Sequence, residues 1–331
     1  MTRSLTDILS SFPRCRIGVL GDLMLDRYCW GQATRISQEA PVPVVLVKRS
    51  THVPGGAANV ARNVLSLRGK VSVFGCVADD EDGRILVSLL KDGGADTTGV
   101  YEVEGGHTTV KTRVLAGNQQ VLRVDREITE KLRGKILSKL EASLKAGELD
   151  ALVMEDYAKG VFTKEFMERA VELATHYGVL STLDPHPAHG FDVKGLTLMT
   201  PNRMEAFSLA GVAFEAGIGD PAHDLPLKHV GDVLMGKWNA EMLLVTLGAE
   251  GMALFRKERS KPLVIPTQAR QVFDVSGAGD TVMATMTLAI CAGAPAAQAA
   301  SLANSAAGVV VGYVGTRAIE AEELREVVKG R

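Results

Sequence analysis

The sequence predicts an α/β protein: a doubly wound, mostly parallel sheet with helices on both faces, plus a small separate β-sheet. Three observations predict it. Short apolar runs of strand length alternate with segments whose apolar residues recur at helical spacing. No long Pro/Gly/Ser linker and no internal repeat divides the 331 residues, so a single domain over 1–331 is expected. Two β-rich segments break the alternation and read as a sheet of their own.

The elements follow in chain order. Arg16 to Leu20 is a first strand ending at Gly21-Asp22. Val42 to Val47 is a β-rich run containing Pro43, which suits an edge strand. Residues 57–67 place Ala57, Val60, Ala61, Val64 and Leu65 on one helical face, and Val71 to Gly75 reads as a strand. His107 to Val114 and Gln120 to Asp125 are strand-like and are joined by the hairpin turn Ala116-Gly117-Asn118-Gln119. Ala151 to Met154 is a strand. Residues 164–177 carry Phe166, Ala170, Leu173, Ala174 and Tyr177 on one helical face. Val179 to Leu183, Leu196 to Met199 and Leu243 to Thr246 suit buried parallel strands. The segments at 42–48 and 107–125 should project from the main sheet. Beside a cleft they would form a lid that excludes water; the plain alternative is an edge extension.

Composition excludes several classes. Hydrophobic residues make up 46% and charged residues 23%, a well-packed soluble profile. The net charge of −2 lacks the basic excess of a nucleic-acid binder. The N-terminal apolar stretches are broken by Asp7, Pro13 and Arg16, so neither signal peptide nor anchor is expected. The apolar region at 281–294 is interrupted by Thr and Gly and falls short of a membrane span. No membrane partner and a cytoplasmic location are expected. Cys15, Cys29, Cys76 and Cys291 are scattered without CxxC pairing. GxGxxG after the first strand, GxxxxGK[ST] and HExxH are all absent.

The strongest chemical signal is Asp274-Val275-Ser276-Gly277-Ala278-Gly279-Asp280-Thr281. A β-type run, Gln271 to Phe273, precedes it, and an apolar, buried helix follows. Small residues at 276–279 let a ligand approach the backbone, whose free N–H groups at a helix N-terminus favour anions. Asp280 stands where it can take a proton from a hydroxyl attacking phosphorus. A tight glycine turn with an Asp cap is the alternative. Gly55 and Gly56 open the helix at 57, and Asn59 offers a donor and an acceptor to hydroxyls. Asp22 and Asp26 lie at the carboxyl edge of the first strand, where ligands bind in open α/β sheets. Asn202 and Glu205 follow a strand and open a helix. Their oxygens suit Mg²⁺, directly or through water, and a capping box explains them equally well. Thr246, Gly248 and Gly251 form a strand and glycine turn that could hold a nucleotide, or an ordinary hairpin.

Taken together these motifs resemble the ribokinase-like (PfkB) carbohydrate kinases, in order and over almost the whole chain. They are Gly21-Asp22…Asp26, Gly55-Gly56-Ala57-Ala58-Asn59, Asp156-Tyr157-Ala158-Lys159-Gly160, Thr200-Pro201-Asn202…Glu205, Val245-Thr246-Leu247-Gly248…Gly251 and the Asp274 to Thr281 run. The stretch Arg35-Ile36-Ser37, Glu39-Ala40-Pro41-Val42-Pro43-Val44 is similar to the branch of that family that acts on heptose 7-phosphate. The resemblance implies transfer of the ATP γ-phosphoryl group to O1, giving the 1,7-bisphosphate, a precursor of lipopolysaccharide inner-core heptose. It implies ATP and Mg²⁺ as cofactors and a sugar phosphate as substrate. Asp280 would be the base, and Gly277, Ala278 and Gly279 the anion hole. Asp26, Gly55, Gly56, Asn59 and Asp156 would meet the sugar. Thr246, Gly248, Gly251, Asn202 and Asn304 would meet the nucleotide, with Asn202 and Glu205 organising Mg²⁺. Asp274 and Ser276 are candidates for a monovalent cation, K⁺. Lys111, Arg113 and Arg123 on the hairpin, with Lys159, are proposed as a cationic patch for the second phosphate. Relatives often dimerise through lid sheets, so a homodimer is expected.

Two positions depart from the pattern. Asp184-Pro185-His186-Pro187 stands where Asp-Pro-Lys-Gly is common, and Glu155 stands where Ser often precedes Asp-Tyr. The chain shows no HxGH motif of the nucleotidyltransferase domain that some relatives carry, so the kinase step alone is expected. A kinase for another sugar, or a non-catalytic sugar or nucleotide sensor, are the other readings.

Overall fold

The computed structural model describes residues 3–117, 119–127, 133–217, 219–259, 261–269 and 271–330. Thirteen strands are described: β1 Arg16–Gly21, β2 Leu23–Ile36, β3 Pro43–Gly56, β4 Lys70–Ala78, β5 Asp96–Val103, β6 Thr109–Ala116, β7 Gln119–Arg126, β8 Ala151–Glu155, β9 Leu180–Asp184, β10 Leu198–Met199, β11 Met242–Thr246, β12 Met252–Arg256 and β13 Leu263–Ile265. The helices are α1 Leu5–Leu9, α2 Ala57–Ser66, α3 Glu81–Asp92, α4 Arg133–Lys145, α5 Lys164–His176, α6 Arg203–Ala210, α7 Leu225–Trp238, α8 Ala278–Cys291, α9 Ala296–Val310 and α10 Ala321–Lys329.

Nine strands form one sheet in the order β13-β12-β11-β10-β9-β8-β1-β4-β5. It is parallel from β11 to β5, and β12 and β13 are added antiparallel at one edge. Alternate residues of each strand feed two separate apolar cores. Val19, Val153 and Leu244 pack with α1, α2, α8, α9 and α10 on one face. Leu20, Met154, Val245 and Phe255 pack with α4, α5, α6 and α7 on the other. Both faces being covered explains why these strands read as continuous apolar runs.

The second sheet has the order β3-β2-β6-β7. Pro43 begins β3, an edge strand, where its missing N–H costs no ladder bond. The anticipated 42–48 and 107–125 strands are therefore present, but their central partner, β2, is not among the strands expected from the sequence. β2 and β3 are also each 14 residues long, well beyond the short run anticipated. Asn118 of the hairpin turn lies outside the described residues. Gln271–Phe273 forms no strand; this segment is irregular and exposed, and Phe273 N–H reaches Val311 O.

Candidate active site

The site is built where the two sheets and α8 meet. Gly277 precedes α8 with φ +78°, and a Cβ there would lie 2.8 Å from Asn59 Nδ2 and 2.9 Å from Thr316 Cγ2. Both the left-handed backbone and the crowding require glycine. That turn delivers Asp280 into the first turn of a helix buried almost throughout.

Asp280 is 4% exposed and receives two hydrogen bonds. Asn59 Nδ2 donates to Oδ2 at 2.5 Å, and Tyr157 Oη donates to Oδ1 at 2.8 Å. Burial raises its pKa above the usual carboxylate value; the two donors and Lys111 oppose that rise, while Asp26 adds to it. The result is a carboxylate of increased basicity with fixed orientation, the properties of a general base. Asn59 is held in turn: Asn63 Nδ2 donates to its carbonyl, and Thr281 Oγ1 donates to Asn63 Oδ1. Among the described residues the Oδ1 of Asn59 has no protein partner.

The second sheet supplies the other wall. Strand register sets Asp26 beside Lys111, Tyr28 beside Arg113, and Arg113 opposite Arg123, so these side chains share one face. Arg113 donates to Asp26 at 2.6 Å in a pair only 14% and 7% exposed, and its guanidinium lies over the Tyr28 ring. Lys111 lies over the Tyr157 ring at 4.9 Å. Burial lowers its pKa, with Arg113 adding to the effect and Asp26 opposing it. Gly55 is required next to this pair, since a Cβ would sit 2.8 Å from Asp26 Oδ2. Gly56, at φ +54°, turns the chain into α2.

The anticipated cationic patch is present but partly neutralised. Arg113 is matched by Asp26, Arg123 by Asp125, and Lys159 by Glu127 at 2.5 Å. Among the described residues Lys111 is held by the Tyr157 ring and makes no carboxylate hydrogen bond. Asp156 does not join the site: its side chain is 1% exposed and is engaged by Ala158 N–H and by His189 Nδ1 at 2.8 Å. Strand alternation explains this, because Asp156 follows Glu155 and points to the opposite face. His189 is thus its partner. Asp22 organises the loop, accepting N–H from Tyr157, Lys159 and Val161.

Asn202 and Glu205 form a capping box: Glu205 N–H donates to Asn202 Oδ1, and Asn202 N–H donates to Glu205 Oε2. The capping alternative is therefore the one the geometry displays. Burial raises the pKa of Glu205. Asn202 bridges to Thr246, so these two expected nucleotide residues are brought together. Gly248 has open space above its backbone. Gly251 is glycine for packing reasons, since a Cβ would strike Ile265 O and Thr267 N. Asn304 uses its Nδ2 on Pro266 O at 2.7 Å, fixing the loop after β13. Asp274 accepts N–H from Ser276 and Gly315, each at 2.9 Å. Burial would raise its pKa, but these donors and Arg113 outweigh it and hold it low.

Tyr157 was missed as a functional residue, although it stands inside the Asp156 to Gly160 motif. Tyr28 was missed too; it meets Thr316 Oγ1 at 3.0 Å and ties the second sheet to the 313–317 segment. No pattern in the sequence marks that contact, because 288 residues separate the partners.

A family model described as pfkB family carbohydrate kinase matches residues 16–323. The chain belongs to that family. As a pfkB-family carbohydrate kinase it is 41% identical over 319 residues to "Bifunctional protein HldE" of Desulfatibacillum aliphaticivorans, covering 96% of this chain and 64% of the relative. It is 41% identical over 325 residues to the protein of the same name from Magnetococcus marinus, again 96% and 64%. The chain thus spans just under two thirds of the length of these relatives. The fold matches Arabidopsis thaliana ribokinase complexed with ribose and ATP, with a TM-score of 0.73, 18% identity, and coverage of 95% and 98%. It also matches phosphofructokinase-2 from Escherichia coli in complex with potassium, with a TM-score of 0.74, 19% identity, and coverage of 96% and 98%. Among the described residues no helix is long and apolar enough to cross a membrane.

Proposed function

We propose that this carbohydrate kinase transfers the γ-phosphoryl group of ATP to O1 of a heptose 7-phosphate, with Asp280 as general base. The observation that carries the chemistry is Asp280 itself, buried, more basic than an ordinary Asp, and fixed between Asn59 and Tyr157 beside a bare-backbone helix N-terminus. The sugar O–H would give its proton to Asp280 as its oxygen bonds to phosphorus and the bridging bond to ADP breaks. The N–H groups of 277–279 would receive the charge on the transferring group. Gly55, Gly56 and Asn59, with Asp26, would orient sugar hydroxyls; Thr246, Gly248 and Asn202 would line the nucleotide.

Mg²⁺, when bound with ATP, would neutralise phosphate charge. The all-oxygen donors Glu205 and Asn202 suit it through its waters. Asp274 and Ser276 suit K⁺ on the same chemical grounds. Lys111, Arg113, Arg123 and Lys159 would meet the 7-phosphate by exchanging their present carboxylate and ring partners for phosphate oxygens. An Arg113→Ala enzyme should show a raised KM for the sugar phosphate; an unchanged KM removes Arg113 from the set.

The choice of heptose rests on the Arg35 to Val44 stretch. That stretch forms the β2–β3 hairpin end, with Ser37 N–H reaching Val42 O, and is almost wholly exposed. Arg35 lies nine residues along β2 from Asp26, about 30 Å at strand rise, so within one copy it does not reach the sugar. Its exposed neighbours Ile36, Val42, Leu46 and Val47 suit contact with a second copy, in line with a homodimer. The test is ADP release with Mg-ATP and heptose 7-phosphate, beside fructose 6-phosphate and ribose. Turnover on the heptose phosphate alone supports the reading. Turnover on another sugar retains Asp280 chemistry and removes the heptose assignment.

A further inference from the structure

A carboxyl pair lies one layer below the proposed phosphoryl site. Glu155 ends β8, Asp184 ends β9, and the strand register pairs them. Paired positions share a face, here the α8 face, where Thr182 two residues earlier meets Thr287. Glu155 is wholly buried, and among the described residues neither of its oxygens receives an N–H or O–H donor. Asp184 is partly exposed. Thr200 Oγ1 donates to its Oδ1 at 3.1 Å, and its Oδ2 lies 3.8 Å from where a Cβ on Gly279 would stand. Asp184 thus connects Glu155 to the anion-binding turn.

We propose that Glu155 is a positioning residue: it keeps its proton and donates it to Asp184, holding that carboxylate beneath the α8 N-terminus. Two acidic side chains set side by side at paired strand positions, one of them wholly buried, favour keeping one proton between them. Burial pushes the Glu155 carboxyl well up, and the charges of Asp184, Asp280 and Asp156 add to this. Asp184 is pushed up by burial, then by Glu205 and Asp280. Asp184 accepts the Thr200 hydroxyl while, among the described residues, Glu155 receives no donor, which assigns the charge to Asp184 and the proton to Glu155. The groups facing the pair are Asp280 from α8, Tyr157 after β8, and Thr200 and Glu205 beyond β10, with the charge of Asp156 acting from the opposite face. Loss of the proton would set three carboxylates under a triphosphate and weaken nucleotide binding.

The kinetic part rests on the kinase reading; the stability part does not. The full-length chain is compared with Glu155→Gln, which keeps a donor but no proton to lose, and Glu155→Leu, which has neither. Because the folded pKa of Glu155 is raised, the native state holds a proton the unfolded chain releases above about pH 4.5, and wild-type stability falls with rising pH. Thermal and denaturant unfolding should therefore show the Gln variant gaining on wild type with pH, by about tenfold in the folding equilibrium per unit. A constant difference from pH 5 to 8 overturns the proposal. In turnover assays Glu155→Leu should raise KM for ATP about tenfold, one hydrogen-bond-sized loss, with KM for sugar unchanged, and Glu155→Gln should recover most of it. Gln and Leu variants with the same defect also overturn it. If Glu155→Leu does not fold, wild type against Glu155→Gln carries the test. Absence of turnover on every sugar would refute the kinase reading alone, since unfolding still counts the proton.

Discussion

Asp280 shows how surroundings raise the basicity of one carboxylate. Burial favours its neutral form, and the Asn59 and Tyr157 donors restrain that shift while fixing both oxygens. Asp280→Asn should lower kcat by about 10²- to 10⁴-fold with the fold intact by circular dichroism. Tyr157→Phe removes a donor to the ionised form, so the Asp280 pKa should rise further. Since the base acts deprotonated, the acidic limb of the kcat/KM profile should move to higher pH; a limb that stays in place would show that Tyr157 does not tune Asp280. The motif around Asp280 was readable because its residues are contiguous. Tyr157 was not assigned a role because its contact spans 123 residues.

At the scale of elements, the start of α8 and the second sheet define the site. Gly277→Ala should cost about 1–2 kcal/mol from its left-handed backbone, with a further loss as Asn59 is displaced from Asp280. Urea unfolding and kcat measured together would show both effects; a stable, active variant would mean the turn relaxes freely. Helices α2, α5, α6 and α8 and strands β1, β4, β8, β9, β10 and β11 were legible because each keeps one pattern along its length or starts at a recognisable turn. β2 was not, because it begins in the buried base of the sheet, as Leu23 to Asp26, and ends exposed, as Arg35 and Ile36. A strand whose surroundings change midway shows no uniform alternation. Gln271 to Phe273 failed in the opposite way: β-type residues found no neighbouring strand to pair with.

For the whole molecule, charge linkage sets a pH preference. Glu155, Asp156, Asp184, Glu205 and Asp280 all have raised folded pKa values. Each holds protons that the unfolded chain, titrating near 3.8 to 4.5, has released, so stability falls as pH rises above that range. Asp80, Asp150 and Asp274 are lowered, and their contribution is lost only as pH falls below about 3.8. Tm should therefore peak in mildly acidic buffer and be lower at pH 8; a Tm rising steadily to pH 8 would contradict this. On the outer sheet, Leu46 and Leu122 are 68% and 55% exposed. If this face joins two copies, Leu46→Glu with Leu122→Glu should convert a sedimenting dimer to monomer.

The sequence by itself determined the family, the doubly wound sheet and the position of the carboxylate proposed as base, because each is written in residues close along the chain: a period, a glycine turn, a carboxylate at a helix start. Only the tertiary structure decided which carboxylates face the site. Asp26, Asp156, Glu155 and Asp184 all stand at strand ends, and their chemistry is alike on paper. Strand alternation and register turn Asp156 toward His189, join Asp26 to Arg113, and set Glu155 against Asp184. A one-residue difference in facing reverses a side chain's surroundings, and that choice is made by packing between distant segments.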